Sequence, residues 1–315
     1  MRPQEITPGV FRLGGEENTA GQLHCNGYLL LAEGGAIVFD PGSVLDYDVT
    51  ARQIREVLGE NPRIRYVVLH HQDPDVCSGV PRLEEEFGPF EIASHWRTMN
   101  IVRHYGIRSQ FILINEKEFR LPGVEEIRFI PAAFLHFSGA VMTYDEKRKV
   151  LFSGDLFGAF SREWSLVAGP EYDEAMKFFH EHYMPGNEYL RPVMETLLDL
   201  DIGLICPQHG SILDSNIRDY IGILRDLECG TLGSKPKRSL HEAGGYPGII
   251  NRIIERYIAV EGRKEVVRVL ENTPYAVDPE SGKLSSLPSD MGDDVFEDFF
   301  LTLYAHGGSR WISLI

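Results

Sequence analysis

The chain has 315 residues, of which 43% are hydrophobic and 25% charged. This is the balance of a folded globular protein and excludes a disordered or low-complexity chain. A formal net charge of −16 excludes a general binder of nucleic acids or anionic membranes, because both need clustered lysine and arginine.

The N-terminus carries no basic segment followed by an apolar one, as a signal peptide would. No apolar run reaches the roughly 20 residues that span a bilayer. The sequence therefore predicts a cytoplasmic protein that does not enter a membrane.

The first third of the chain predicts short strands followed by a βαβ unit. Apolar runs with turn residues between them predict strands at 10–13, 27–31 and 36–40. Residues 46–60 have the apolar spacing of a helix, and residues 64–69 read as a buried strand that runs directly into HHQDPD. In βαβ units the chemistry lies at the carboxyl ends of the strands.

The remainder predicts further strands and then helices. Between 70 and 215 the predicted elements are helices at 79–87, 95–105, 172–183 and 186–200, a strand-rich stretch at 111–153, and a strand at 202–206. After about residue 215, helical spacing recurs at 249–260, 263–271 and 294–305. We therefore divide the chain into a domain of residues 1–215 and a helical C-terminal extension of residues 216–315, whose role no motif indicates.

Histidines and carboxylates follow four separate apolar stretches. These stretches are VVLHHQDPD (67–75), IPAAFLH (130–136), VLFSGD (150–155) and ICPQHG (205–210). Imidazole and carboxylate ligands together suit iron, zinc or manganese, and a carboxylate can bridge two cations. The four cysteines lack CxxC spacing, which favours reduced thiols over disulfides or a thiolate metal site.

The order of these motifs resembles the metallo-β-lactamase superfamily: H-x-[HED]-x-D, a single histidine, an aspartate, and a histidine before glycine. It is most similar to the β-lactamase-like domain of flavodiiron proteins and of their flavin-free relatives, the oxygen-binding di-iron proteins. Asp73 stands where the hydrolases usually carry histidine, and HFSGAVMTYD and LFSGDLFGAF resemble segments of that branch. The resemblance covers residues 1–215 and implies an α/β fold, the αββα sandwich.

The resemblance also implies a ligand set for two metals. A first metal would take His71, Asp73 and His136, a second would take Asp75 and His209, and Asp155 would bridge them. The family motif continues with a further histidine where this chain has Val76, which cannot ligate. His24, in QLHCNGY, is the candidate catalytic residue because the family's loop there approaches the open side of the metals, whereas His70 is expected to be structural.

Two functions remain open at this point. The first is a non-haem di-iron protein that binds dioxygen, reduces it slowly or senses it, with Fe²⁺/Fe³⁺ as cofactor. The alternative is a hydrolase of an ester, lactone or phosphodiester that uses a bridging hydroxide, with zinc or manganese. Residues 216–315 contain no phosphate-binding loop of a flavodoxin, so we expect no flavin in this chain and an external electron donor or a signalling partner. Members of the family commonly form homodimers, and the sequence leaves the oligomeric state open.

Overall fold

The computed structural model describes residues 2–15, 24–114, 119–160, 165–230, 245–285, 295–308 and 311. The chain divides into two compact units. The first comprises residues 1–17, 24–159 and 164–230, and the second comprises residues 18–23, 160–163 and 231–315. The domain boundary at residue 215 stays a prediction.

The first unit contains two sheets. One sheet has seven strands in chain order, with antiparallel pairing up to its fourth strand and parallel pairing from there on. Its strands are β1 (Gln4–Thr7), β2 (Val10–Leu13), β3 (Gly27–Leu30), β4 (Ala36–Phe39), β5 (Ile64–Val68), β6 (Glu91–Ser94) and β7 (Phe111–Leu113).

The other sheet has five strands in the order β12-β11-β10-β9-β8, and only its β11–β12 pair is parallel. Its strands are β8 (Arg120–Leu121), β9 (Val124–Pro131), β10 (Val141–Asp145), β11 (Val150–Gly154) and β12 (Leu204–Pro207).

The apolar core follows from the two-residue period of the strands. In β4, Ile37 and Phe39 belong to the cluster that lies between the sheets and includes Phe152 of β11, whose ring stacks on Phe39 at 4.0 Å. The alternate residue Val38 belongs to a second cluster, shared with helical residues such as Ile54. The central strands of the larger sheet are therefore buried on both faces, which explains their nearly continuous apolar sequence.

The helices of the first unit agree closely with the predicted ones. They are α1 (Tyr47–Leu58), α2 (Pro74–Cys77), α3 (Val80–Phe87), α4 (Trp96–Val102), α5 (Tyr172–Tyr183), α6 (Asn187–Leu198) and α7 (Ile217–Asp226), with a 3₁₀ turn at Arg103–Tyr105. Two of these helices were not predicted: the one-turn helix α2, and α7, which buries only Ile221 and Leu224. The sequence analysis also missed β1, whose four residues are all partly or fully exposed.

The second unit has three helices among its described residues. Its helices are α8 (Gly245–Glu261), α9 (Arg263–Leu270) and α10 (Val295–Gly307). Tyr257 of α8 stacks on Trp311 at 5.1 Å and donates a hydrogen bond to its carbonyl, while Tyr275 packs edge-on against Phe299 of α10. Among the described residues, no helix combines the length and the apolar character that crossing a membrane requires.

Candidate metal centre

The six predicted ligands all lie where strands of the first unit end. His71 comes three residues after β5, Asp155 directly after β11 and His209 two residues after β12. The Gln208 N–H donates to the Gly154 carbonyl at 2.8 Å, and this bond holds the ends of β11 and β12 side by side. The structure thus brings together residues that are far apart in the chain. The parallel strands β11 and β12 end at the same edge of the five-stranded sheet, and His71, after β5 of the other sheet, lies 3.5 Å from Asp155.

A short helix positions Asp73 and Asp75. Pro74 is the first residue of α2, where its fixed φ suits the helix and its missing N–H is not needed. Asp73 has the extended backbone that a residue before proline prefers. The sequence HQDPD therefore passes directly into a single turn of helix. This turn places both carboxylates next to His71.

Each oxygen of the Asp155 carboxylate faces a different group of side chains. Oδ2 lies 2.8 Å from His136 Nε2 and 3.5 Å from His71 Nε2. Oδ1 lies 3.3 Å from His209 Nε2, although no donor in the described residues makes a well-directed hydrogen bond to it. One buried carboxylate therefore joins two sets of candidate ligands.

The two sets are completed by the other aspartates. In the first set, Asp73 Oδ2 lies 3.2 Å from His136 Nε2 and 3.6 Å from His71 Nε2. In the second, Asp75 Oδ2 lies 3.5 Å from His209 Nε2. Metal–ligand bonds of about 2.0 Å in tetrahedral geometry separate neighbouring nitrogen and oxygen ligands by roughly 3.3 Å. The spacing in both sets therefore fits metal ions.

Histidines with raised pKa values surround the Asp155 carboxylate when no metal is bound. Burial lowers the pKa of His136, but hydrogen bonds to Asp155 and Asp73 outweigh burial and raise the pKa to about 10. The pKa values of His71 and His209 are raised in the same way against burial. Burial raises the pKa of the Asp155 carboxyl, but these imidazoles hold it well below its usual range. The site thus requires positive charge, which protons provide in the absence of metal ions.

The metal-free protein should therefore lose stability as pH rises. The folded-state pKa of His136 is about 10, above the unfolded value near 6.5, so its contribution is fully present below pH 6.5 and is lost as pH rises through 10. We expect the thermal midpoint of chelator-treated protein to fall across that window. The fall should be smaller in His136→Gln and absent with saturating zinc. An equal fall in wild-type and His136→Gln protein would contradict this origin.

His70 and His24 lie beside the ligands but have other partners. The buried His70 contacts Asp40 through Nδ1 at 2.5 Å and Thr143 through Nε2 at 2.8 Å. The imidazole of His24 accepts from the Arg12 guanidinium at 2.9 Å, and burial lowers its pKa to about 3. The His24 carbonyl accepts a 2.9 Å bond from His209 Nδ1, which leaves Nε2 of His209 for the site. A catalytic role for the His24 side chain stays a prediction.

Cys25 is a neighbour that the sequence analysis missed. Its Sγ donates to Asp75 Oδ2 at 3.4 Å, and the ligand atoms of Cys25, Asp75 and His209 all lie within 4.8 Å of one another. A cysteine outside CxxC spacing gives no ligand signal in a sequence. Only its position next to His24, in the loop assigned to the open side of the metals, could have suggested it.

Known proteins with similar sequences share this region. A family model described as "ODP family beta lactamase" matches residues 23–210. The type A flavoprotein fprA of Rhodobacter capsulatus is 24% identical over 256 residues, which cover 74% of this chain and 57% of the relative. The chain spans about half the length of the curated relatives it matches, between 41% and 57% for the first three.

Solved structures agree with the fold. A structure described as a peroxy di-iron species of the chemotaxis sensor ODP superposes with a TM-score of 0.59 at 24% identity, covering 70% of this chain and 91% of that one. Rubredoxin oxygen:oxidoreductase from Desulfovibrio gigas gives a TM-score of 0.64 at 19% identity, covering 71% and 60%. These likenesses confirm the predicted metallo-β-lactamase sandwich.

Proposed function

Because the chain belongs to the ODP family of β-lactamase-like proteins, we propose that it is a non-haem di-iron protein that binds dioxygen. It acts as an oxygen-binding or oxygen-sensing component, with slow reduction of oxygen as a second outcome. The observation that carries this proposal is the Asp155 carboxylate, whose two oxygens face two separate ligand sets.

The residues fit iron. His71, His136 and Asp73 form a set of two imidazoles and one carboxylate, which is typical of non-haem ferrous sites that keep open positions for oxygen. Two solved structures of similar fold also support iron and oxygen. The chemotaxis sensor ODP is described as a di-iron species, and the protein from Desulfovibrio gigas as an oxygen oxidoreductase. Two ferrous ions held here would supply the electrons that bind and activate dioxygen.

The protein's own contribution is to hold these ligands in place and to limit the access of water to them. The side chains of His71, Asp155 and His209 are at most 4% exposed, so their positions are fixed by packing. Asp73 and Asp75 are each 31% exposed, which places the opening of the site on their side. Tyr183 packs edge-on against His136 at 5.5 Å, and Phe179 lies 5.7 Å from His209. Aromatic rings thus shield the inner side, and a small ligand enters past the two aspartates.

A main-chain carbonyl orients one ligand of the second set, His209. The His24 carbonyl fixes which nitrogen of His209 carries the proton, as outer-shell acceptors do at metal sites. We therefore assign His24 to positioning the second set through its main chain. In the cytoplasm, the oxygen-bound protein would pass its state to a signalling partner or receive electrons from an external donor.

An anaerobic spectrum tests the proposal. Protein loaded with two equivalents of ferrous iron should develop a visible band when oxygen is admitted, and the band should fade when oxygen is removed by argon. Bleaching with no band, at full iron occupancy, would contradict oxygen binding. Turnover of a chromogenic ester by the zinc or manganese form, together with no oxygen response, would instead support the hydrolase function.

A further inference from the structure

The segment before β3 is hydrogen-bonded to the end of β12. The Asn26 N–H donates to the Gln208 carbonyl at 2.6 Å, and the Asn26 side-chain amide donates to the carbonyls of Pro207 and Gly210 at 3.0 and 2.8 Å. Asn26 is buried. These bonds fix the preceding residue, Cys25, beside His209, so the position of its thiol is set by the fold.

The Cys25 thiol lies at ligand distance from the second set. Its Sγ is 3.4 Å from Asp75 Oδ2, and the ligand atoms of Cys25, Asp75 and His209, one from each, lie within 4.8 Å of one another. Metal bonds of about 2.3 Å to sulfur and 2.0 Å to oxygen, at a tetrahedral angle, separate the two ligand atoms by roughly 3.5 Å. The observed separation of sulfur and oxygen is close to this value, so one ion can contact both.

The second set is incomplete without a further ligand. It has Asp75, His209 and Oδ1 of Asp155, and this Oδ1 is buried without a well-directed hydrogen bond in the described residues. Val76 cannot supply a ligand, because its side chain has no donor atom, and it is buried in the apolar cluster that contains Ile54. Three ligands, one of which is this unsatisfied buried oxygen, indicate a cation at this point whose fourth protein ligand is missing.

We propose that Cys25 is that ligand and binds the second metal ion as a thiolate. This inference rests on the proposed di-metal centre and names a residue that the family motif does not include. On binding, the S–H bond breaks, the sulfur electron pair forms the bond to the metal, and the proton passes to solvent. Ligating thiols are deprotonated outright by a bound divalent cation.

A thiolate changes the second site in two ways. Sulfur is a soft ligand, so the site favours iron or zinc over manganese and magnesium. The thiolate also adds a negative charge, whereas the further histidine of the family motif would be a neutral ligand. The two metal positions therefore differ in chemistry: the first has imidazole and carboxylate ligands only, whereas the second includes sulfur.

Cobalt and zinc substitution of the full chain tests the proposal. Wild-type protein with two equivalents of Co²⁺ should show a thiolate-to-cobalt charge-transfer band in the near ultraviolet. Its zinc form should show one sulfur at about 2.3 Å by X-ray absorption. Cys25→Ser should lose both signals and bind the second ion at least about tenfold more weakly, since even the loss of an outer-shell partner costs ~10–100-fold.

Cys77→Ser is the matched control. Cys77 is a buried thiol that also lies next to the ligands, but its Sγ donates to the His71 carbonyl at 3.2 Å and a serine keeps that donor. It should retain the band and both ions. Two bound ions without a sulfur signal in wild-type protein would overturn the thiolate and leave the di-metal centre intact. Failure to bind any metal would overturn both the thiolate and the di-metal centre. Loss of the band in Cys77→Ser but not in Cys25→Ser would mean that Cys77, and not Cys25, is the ligand.

Discussion

Replacing Asp155 by asparagine is expected to empty both metal positions. Its two carboxylate oxygens lie 2.8 Å from His136 and 3.3 Å from His209, so one substitution weakens both ligand sets. The amide keeps the shape but removes the charge that balances three imidazoles. We expect iron affinity to fall by at least about 100-fold at each position. Iron analysis after anaerobic loading and desalting, together with the oxygen spectrum, measures the effect.

Asp145→Asn is the control for this experiment. Asp145 is also a buried aspartate that follows the same pattern of strand and turn, but its carboxylate binds Arg148 at 2.8 Å and the backbone N–H groups of its own turn. This variant should lose stability, by about 1–3 kcal/mol, and keep its iron. If Asp155→Asn kept two ions per chain, the assignment of Asp155 as the ligand shared by both positions would fail.

The candidate ligands could be picked out from the sequence because each of the four motifs follows an apolar stretch. The parallel strands β11 and β12 end at one edge of the five-stranded sheet, which brings the residues after them together, and the end of β5 in the other sheet lies beside them. His71 and Asp155 are 84 positions apart, yet their ligand atoms lie 3.5 Å from each other. The apolar runs also predicted most of the strands, whereas the division of Val38 from Ile37 and Phe39 between two cores is seen only in the structure.

Features that depend on tertiary contacts escaped the sequence analysis. Helix α7 was missed because it buries only two side chains, and β1 because none of its residues is buried. The role of the His24 carbonyl follows from a backbone bond to His209, which no side-chain pattern encodes. Cys25 reaches Asp75 only because Asn26 is bonded to the end of β12, 182 positions further along the chain.

Replacing Asp73 by histidine is expected to turn the first site from iron toward zinc. Asp73 supplies the single terminal carboxylate next to His71 and His136, with its Oδ2 at 3.6 and 3.2 Å from their Nε2 atoms. A third imidazole would create the nitrogen-rich set that zinc favours. Because Asp73 is 31% exposed, the larger ring has room on the open side. In anaerobic competition dialysis with equal Fe²⁺ and Zn²⁺, the zinc-to-iron ratio should rise on the order of tenfold.

Asp73→Glu separates the effect of the ligand type from that of any change at this position. Glutamate keeps a carboxylate, so this variant should keep the wild-type metal ratio and the oxygen-dependent band, whereas Asp73→His should lose the band in proportion to the iron it loses. Equal zinc-to-iron ratios in wild-type protein and both variants would mean that Asp73 does not ligate. The choice of iron would then have to come from Asp155 and the second ligand set, whose carboxylates are unchanged in these proteins.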